Sequence, residues 1–160
     1  MKALALIGVL GVLAFAGSAL ATSNSASDGA LSVKNADGRV VVNGRGGVIG
    51  RLDKGQVTIK DPNPNDGTGP IVNGADTITS VGDRTTRYSG SNIRFRIIGG
   101  SFTVTVFATG VDMSVIGRGL VTLDGTADTE GTYALNGLTA EPFPIFRFTF
   151  PLAAPTGVGG

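Results

Sequence analysis

The chain has 160 residues, with 13 Lys and Arg against 12 Asp and Glu, and it contains no His, Cys or Trp. Without imidazole or thiol, a Ser-His-Asp triad, a Cys-His pair and a conventional His/Cys metal site are all excluded. A formal charge of +1, with no run of Lys and Arg, offers no electrostatic footprint for nucleic acid.

Read in chain order, Lys2 is followed by the apolar run ALALIGVLGVLAF (3–15) and by Ala19-Leu20-Ala21. That is the pattern of a signal peptide over 1–21, cleaved by the A-x-A rule to leave a start at Thr22. No second long apolar run follows, so no membrane span is expected after cleavage. Losing Lys2 would leave 12 basic against 12 acidic groups. Residues 22–29 read as a flexible lead, 30–151 as one β domain, and 152–160 as a disordered tail.

Beyond Ser27, Val, Ile, Thr and Phe alternate with polar residues between Gly, Asn and Asp. No stretch holds a 3.6-residue period with caps, so the expectation is an all-β fold. In LSVKNADGRVVVNG (31–44), Asp37-Gly38 reads as a hairpin loop that sets Val33 opposite Val42. NIRFRIIGGSFTVTV (92–106) reads likewise around Gly99-Gly100. There Ile97 would face Phe102, Phe95 would face Val104, and Ile93 would face Val106. Arg94, Arg96, Thr103 and Thr105 would form the wet face.

Between the hairpins, KDPNPNDGTG places oxygen ligands at Asp61, Asn63, Asn65 and Asp66, ahead of Gly67. Calcium favours such ligands, although Pro, Asn, Asp and Gly together also make ordinary turns. VIGR occurs at 48–51 and again at 115–118, each followed by a V-T-[IL] strand. Val72-Asn73-Gly74 is answered by Leu135-Asn136-Gly137. This order suggests an internal duplication, with copies at about 30–75 and 93–138, in a sandwich or barrel of about ten mostly antiparallel strands. The second copy has its own acidic loop with Asp124, Asp128 and Glu130. Phe146, Phe148 and Phe150 alternate near the end of the chain and read as a strand with an aromatic inner face, bracketed by prolines.

Catalytic chemistry would have to rest on carboxylates, with Asp53, Asp61, Asp112, Asp124 and Glu130 as the available groups. Asp112, in the apolar GVDMSVIG, is the one whose burial would raise its pKa. Neither a G-x-x-x-x-G-K-[ST] loop nor a D-[ST]-G triplet is present. Arg51 and Arg118, which end the two VIGR copies, could pair with acids or meet a carboxylate or glycan.

GALSVKNADGRVVVNGRGGVIGRL and GVDMSVIGRGLVTLDG resemble segments of small exported actinobacterial proteins with no assigned activity. The resemblance implies an exported β protein and no catalytic residue. The expectation is an exported, non-enzymatic domain with a structural or binding role in the cell envelope or the extracellular space, with an envelope or glycan partner possible. A secreted carboxylate-dependent hydrolase of glycans and a β-barrel for a small apolar ligand are the alternatives.

Overall fold

Alternating β-branched and polar residues suit a sheet with one buried and one wet face. The computed structural model describes residues 25–155. They form one antiparallel sheet of seven strands and no helix. The strands are β1 (Gly29–Lys60), β2 (Thr68–Gly82), β3 (Thr85–Ile98), β4 (Ser101–Gly125), β5 (Thr132–Leu135), β6 (Glu141–Pro142) and β7 (Phe148–Leu152). Their order is β2-β3-β1-β4-β7, with β5 pairing β1 and β6. The sheet is not closed, so the architecture is sandwich-like and not a barrel.

The expected ten short strands merge into fewer, longer ones: β1 alone runs 32 residues and β4 runs 25. Neither expected hairpin forms. Asp37-Gly38 lies within β1, where Val33 faces Met113 and Tyr133, and Val42 faces Val104 and Val121. Gly99 (φ 75°) and Gly100 (φ 85°) do adopt the left-handed backbone of a tight turn. The strands they join nevertheless part company. Phe95 pairs with Gly50 and Val72, whereas Val104 pairs with Val42 and Ile59. The Gly-Gly pair therefore turns a corner between strands that are not neighbours. Gly46 N–H donates to the Gly100 carbonyl at 3.0 Å.

The centre of the molecule is made by β1 and β4 winding past each other. Val106 faces Val40 on one side and Val57 on the other; Val115 faces Leu31 and Val48. Val48 and Val115, the first residues of the two VIGR copies, are thus direct partners. All these side chains belong to one buried cluster. With no helix to cover it, a sheet buries a continuous face only by folding over onto itself.

The line of folding can be read from the side-chain phase. In β1, buried positions are Leu31 and Val33, then Ala36, Val40, Val42, Val48 and Leu52, then Val57 and Ile59. Even-numbered positions thus take over from odd, and the phase later reverts. In β4 the phase changes from Val106 and Ala108 to Val111 and Met113. Asn35 (φ 46°) and Gly110 (φ 61°) sit at the first change in β1 and at the change in β4, and Asn92 (φ 57°) immediately precedes the buried run Ile93, Phe95 and Ile97 of β3. Neighbouring partners such as Ala36–Val111, Lys54–Thr109 and Lys54–Ser91 show that the irregularities align across the sheet. A bulge bends its strand and turns the following side chains to the other face.

A second line is built of glycine: Gly46 opposes Gly117, and Gly44 opposes Gly119. A Cβ on Gly46 would collide with the Ile116 carbonyl, and one on Gly117 with the Arg45 carbonyl. This close approach accounts for the GRGG and GRG clusters.

Order extends past both expected limits of the domain. Ser25–Asp28 form a turn closed by Asp28 N–H to the Ser25 carbonyl at 2.9 Å. Leu152 is buried, and Ala154 N–H donates to the Ser27 carbonyl at 3.0 Å. Phe150 and Leu152 face the core, whereas Phe148 is half exposed and Phe146 precedes the strand, 80% exposed. The expected aromatic face is therefore only partly inward. Residues 1–24, which include the expected signal peptide over 1–21, and residues 156–160 lie outside the described residues.

Candidate functional site

Asp112 is positioned by the bulges. Its Oδ1 accepts the Asn35 N–H at 2.8 Å, while Asp37 Oδ1 accepts the Gly110 N–H at 2.7 Å. Each strand's left-handed residue is therefore held by the aspartate two positions beyond the other strand's bulge. Asp112 Oδ2 receives both Nε (2.7 Å) and Nη2 (2.6 Å) of Arg51. Burial works to raise the pKa of Asp112. The Asn35 N–H, Arg51 and the nearby Lys34 charge outweigh it and hold the carboxyl below its ordinary value. The same hydrogen bond and charge hold the Arg51 guanidinium above its ordinary value. The expectation of a raised Asp112 pKa is therefore reversed: burial acts in the expected direction, but the donors win.

Once Asp112 and Arg51 are set on the outer face, register supplies their neighbours. One cross-strand row runs Asp112, Arg51, Arg94, Asn73; the adjacent row runs Ser114, Ile49, Arg96, Ile71. The two rows line a groove of about 380 Å³, with Lys34 at one end and the backbone of Gly50 and Met113 in its floor. Ile49 is 41% exposed and Ile71 38%, although both are large apolar residues. Arg51 and Arg94 are direct cross-strand partners, an arrangement of like charges that costs stability. Among the described residues, Arg94 and Arg96 form no ion pair, and the groove's single carboxylate is already taken by Arg51. Four cations face one anion, beside two exposed isoleucines. Such a surface can bind an anion and cover aliphatic carbon at the same time.

Of the four expected calcium ligands, the Asp61 and Asp66 carboxylates accept hydrogen bonds. Asp61 Oδ1 accepts the Asn63 N–H at 3.2 Å, and Asp66 N–H donates to the Asn63 carbonyl at 3.1 Å. The Asp66 carboxylate accepts the Ser101 N–H at 3.1 Å and the Ser101 hydroxyl at 2.8 Å, bracing the Gly99-Gly100 corner. Asp61 and Asp66 share a small hollow, while Asn63 and Asn65 are exposed outside it. No group of three or more acidic residues suited to a metal ion occurs among the described residues. In the second acidic loop Asp124 pairs with Arg147 at 3.5 Å. Arg118 donates to the Ser27 hydroxyl at 3.1 Å, and Asp53 lies 4.0 Å from Arg51.

The sequence marked Arg51 and Asp112 as groups with possible chemistry, placed Arg94 and Arg96 only on the wet face of an expected hairpin, and did not mark Ile49, Ile71 or Asn73 as site residues. The available signal was R-x-R on one face of a strand with no acid at matching spacing. Strand order was needed to bring it beside Ile49 and Ile71. No protein-family model, curated protein or solved structure matches the chain.

Proposed function

We propose that the protein is exported and acts without catalysis, as a domain that binds an anionic ligand in the cell envelope or the extracellular space. The groove around Arg94 and Arg96 carries this reading: it presents unpaired guanidinium groups beside a cross-strand pair of like charge. Asp112 compensates Arg51, but Arg94 and Arg96 have no acid of their own among the described residues, and such local departures from sheet design concentrate at functional sites. Export rests on the charged and apolar N-terminal pattern. It agrees with the resemblance to small exported actinobacterial β proteins. A glycan hydrolase would need a carboxyl held protonated beside a second carboxylate. Asp112, the acid of the groove, is instead ionised and tied to Arg51, which favours binding over catalysis. The internal duplication belongs to the same proposal, supported by the direct pairing of Val48 with Val115.

Two measurements test the reading. The intact mass of the protein recovered from the medium or periplasm of an exporting host is expected to match a start at Thr22. Retention of residues 1–21 would overturn cleavage at Thr22, and finding the protein only in the cytoplasm would count against export. Titration with a panel of anions, followed by backbone amide shifts, is expected to perturb Ile49, Arg94 and Arg96, and the effect should weaken as salt is added. If no anion shifts these amides, the binding reading fails.

A further inference from the structure

The groove is polarised, and the polarity specifies its ligand. The row Arg51, Arg94, Asn73 is polar and cationic; the adjoining row sets the aliphatic stem of Arg96 between Ile49 and Ile71. Gly50, between Ile49 and Arg51 in the floor, adds no side chain. Charge is therefore offered on one side and hydrocarbon immediately beside it. A uniformly charged polymer would leave the isoleucines unused, and a neutral lipid would leave the Arg94 and Arg96 guanidinium groups, which have no acid partner among the described residues, unneutralised. Exposed aromatic rings, on which sugar faces stack, are missing from this lining: the one ring, Phe95, is buried.

We propose, resting on the anion-binding reading above, that the groove holds a single-chain anionic amphiphile, a carboxylate or phosphate head joined to an aliphatic chain. The head lies between Arg94, Arg96 and Arg51, and relieves the repulsion of the Arg51–Arg94 pair. The chain covers Ile49, the Arg96 stem and Ile71, taking exposed apolar surface out of water. A volume of about 380 Å³ falls in the range of small-ligand sites. The head could come from a fatty acid or from a single-chain lysophospholipid; carboxylate and phosphate probes distinguish them.

The test is a titration of the purified protein with decanoate and with decyl phosphate, both below their micelle concentrations. Acetate, inorganic phosphate, decyltrimethylammonium and hexaglutamate serve as comparisons, and amide shifts and calorimetry are the readouts. At least one of the decyl anions is expected to bind, to shift Ile49, Ile71, Arg94 and Arg96, and to bind roughly tenfold or more tightly than its short counterpart. Arg94→Gln with Arg96→Gln is expected to weaken binding about tenfold or more. Ile49→Ser should weaken the decyl anions and leave inorganic phosphate unchanged. These positions lie on the outer face, so folding is checked by retention of the remaining amide spectrum. Equal binding of decyltrimethylammonium, or no effect of the double Arg variant, overturns the proposal. Shifts from hexaglutamate with none from either decyl anion overturn the amphiphile but leave anion binding standing. Silence from every anion overturns both.

Discussion

At Asp112 a carboxylate that burial would neutralise is kept ionised by the Asn35 N–H and by both donors of Arg51 on a single oxygen. Its folded pKa lies below the ordinary value, so its contribution to stability is complete above that value of 3.8 and is lost as pH falls through the depressed one. Asp112→Asn is expected to cost about 1–2 kcal/mol at neutral pH. It should also flatten the acid limb of a stability–pH profile measured by urea unfolding; an acid limb unchanged from the native protein would contradict this role. Asn35 makes a separate backbone prediction. Its φ of 46° is left-handed, which Gly adopts freely, Asn tolerates and Ala resists. Asn35→Gly should remain within about 0.5 kcal/mol of the native protein, whereas Asn35→Ala should lose about 1 kcal/mol.

Among the elements, β1 and β4 set the architecture, and their glycines and bulges do different work. The bulges at Asn35 and Gly110 reverse which side chains face inward; the glycines at 44, 46, 117 and 119 let two backbones approach where no Cβ fits. Gly117→Ala is expected to cost about 2 kcal/mol or more, because the Arg45 carbonyl opposite is main chain and cannot move aside cheaply. Thermal unfolding compares it with Gly137→Ala, where a Cβ meets nothing within 4 Å. Gly137 has a left-handed φ of 73° and Gly117 a φ of 154°, so both variants carry backbone strain, whereas only Gly117→Ala also meets a main-chain collision. The faces of these strands were legible in advance: Ile93, Phe95, Ile97, Phe102, Val104 and Val106 are all buried, as alternation required. Their partners were not legible. Alternation reports the side of a sheet to which a residue points, and it is silent on which strand lies alongside. A Gly-Gly pair likewise permits a tight change of direction without requiring that the flanking strands pair.

For the molecule as a whole, stability and folding rate rest on contacts distant in sequence. Gly29 pairs with Gly117, and Gly38 with Gly125, so the central ladders form only after long loops close. Refolding should be slow for a chain of this size, on the millisecond-to-second scale or slower, as stopped-flow fluorescence of Tyr88 and Tyr133 can test. Microsecond folding would contradict this dependence on distant pairing. The core has no disulfide to support it, so Leu52→Ala is expected to cost about 2–5 kcal/mol. Ile78→Ala, on the outer strand β2 and 66% exposed, should change stability by about 0.5 kcal/mol or less. The candidate site also belongs to this scale, because its residues come from four strands.

Composition and alternation by themselves determined that this chain is all-β, which side chains enter the core along regular runs such as 93–106, and which chemistries the lack of His and Cys forbids. Those properties belong to each residue and its immediate neighbours, so a linear reading captures them. Tertiary structure alone decided that β3 lies between β1 and β2, and that β4 lies on the far side of β1. That order turned Arg94 and Arg96 from the wet face of an expected hairpin into the cationic wall of a groove beside Ile49 and Ile71. Hydrogen bonds between strands are made by a backbone that is nearly the same at every residue. Packing of the whole sheet over one core, with bulges and glycines aligned, is what selects among the possible pairings.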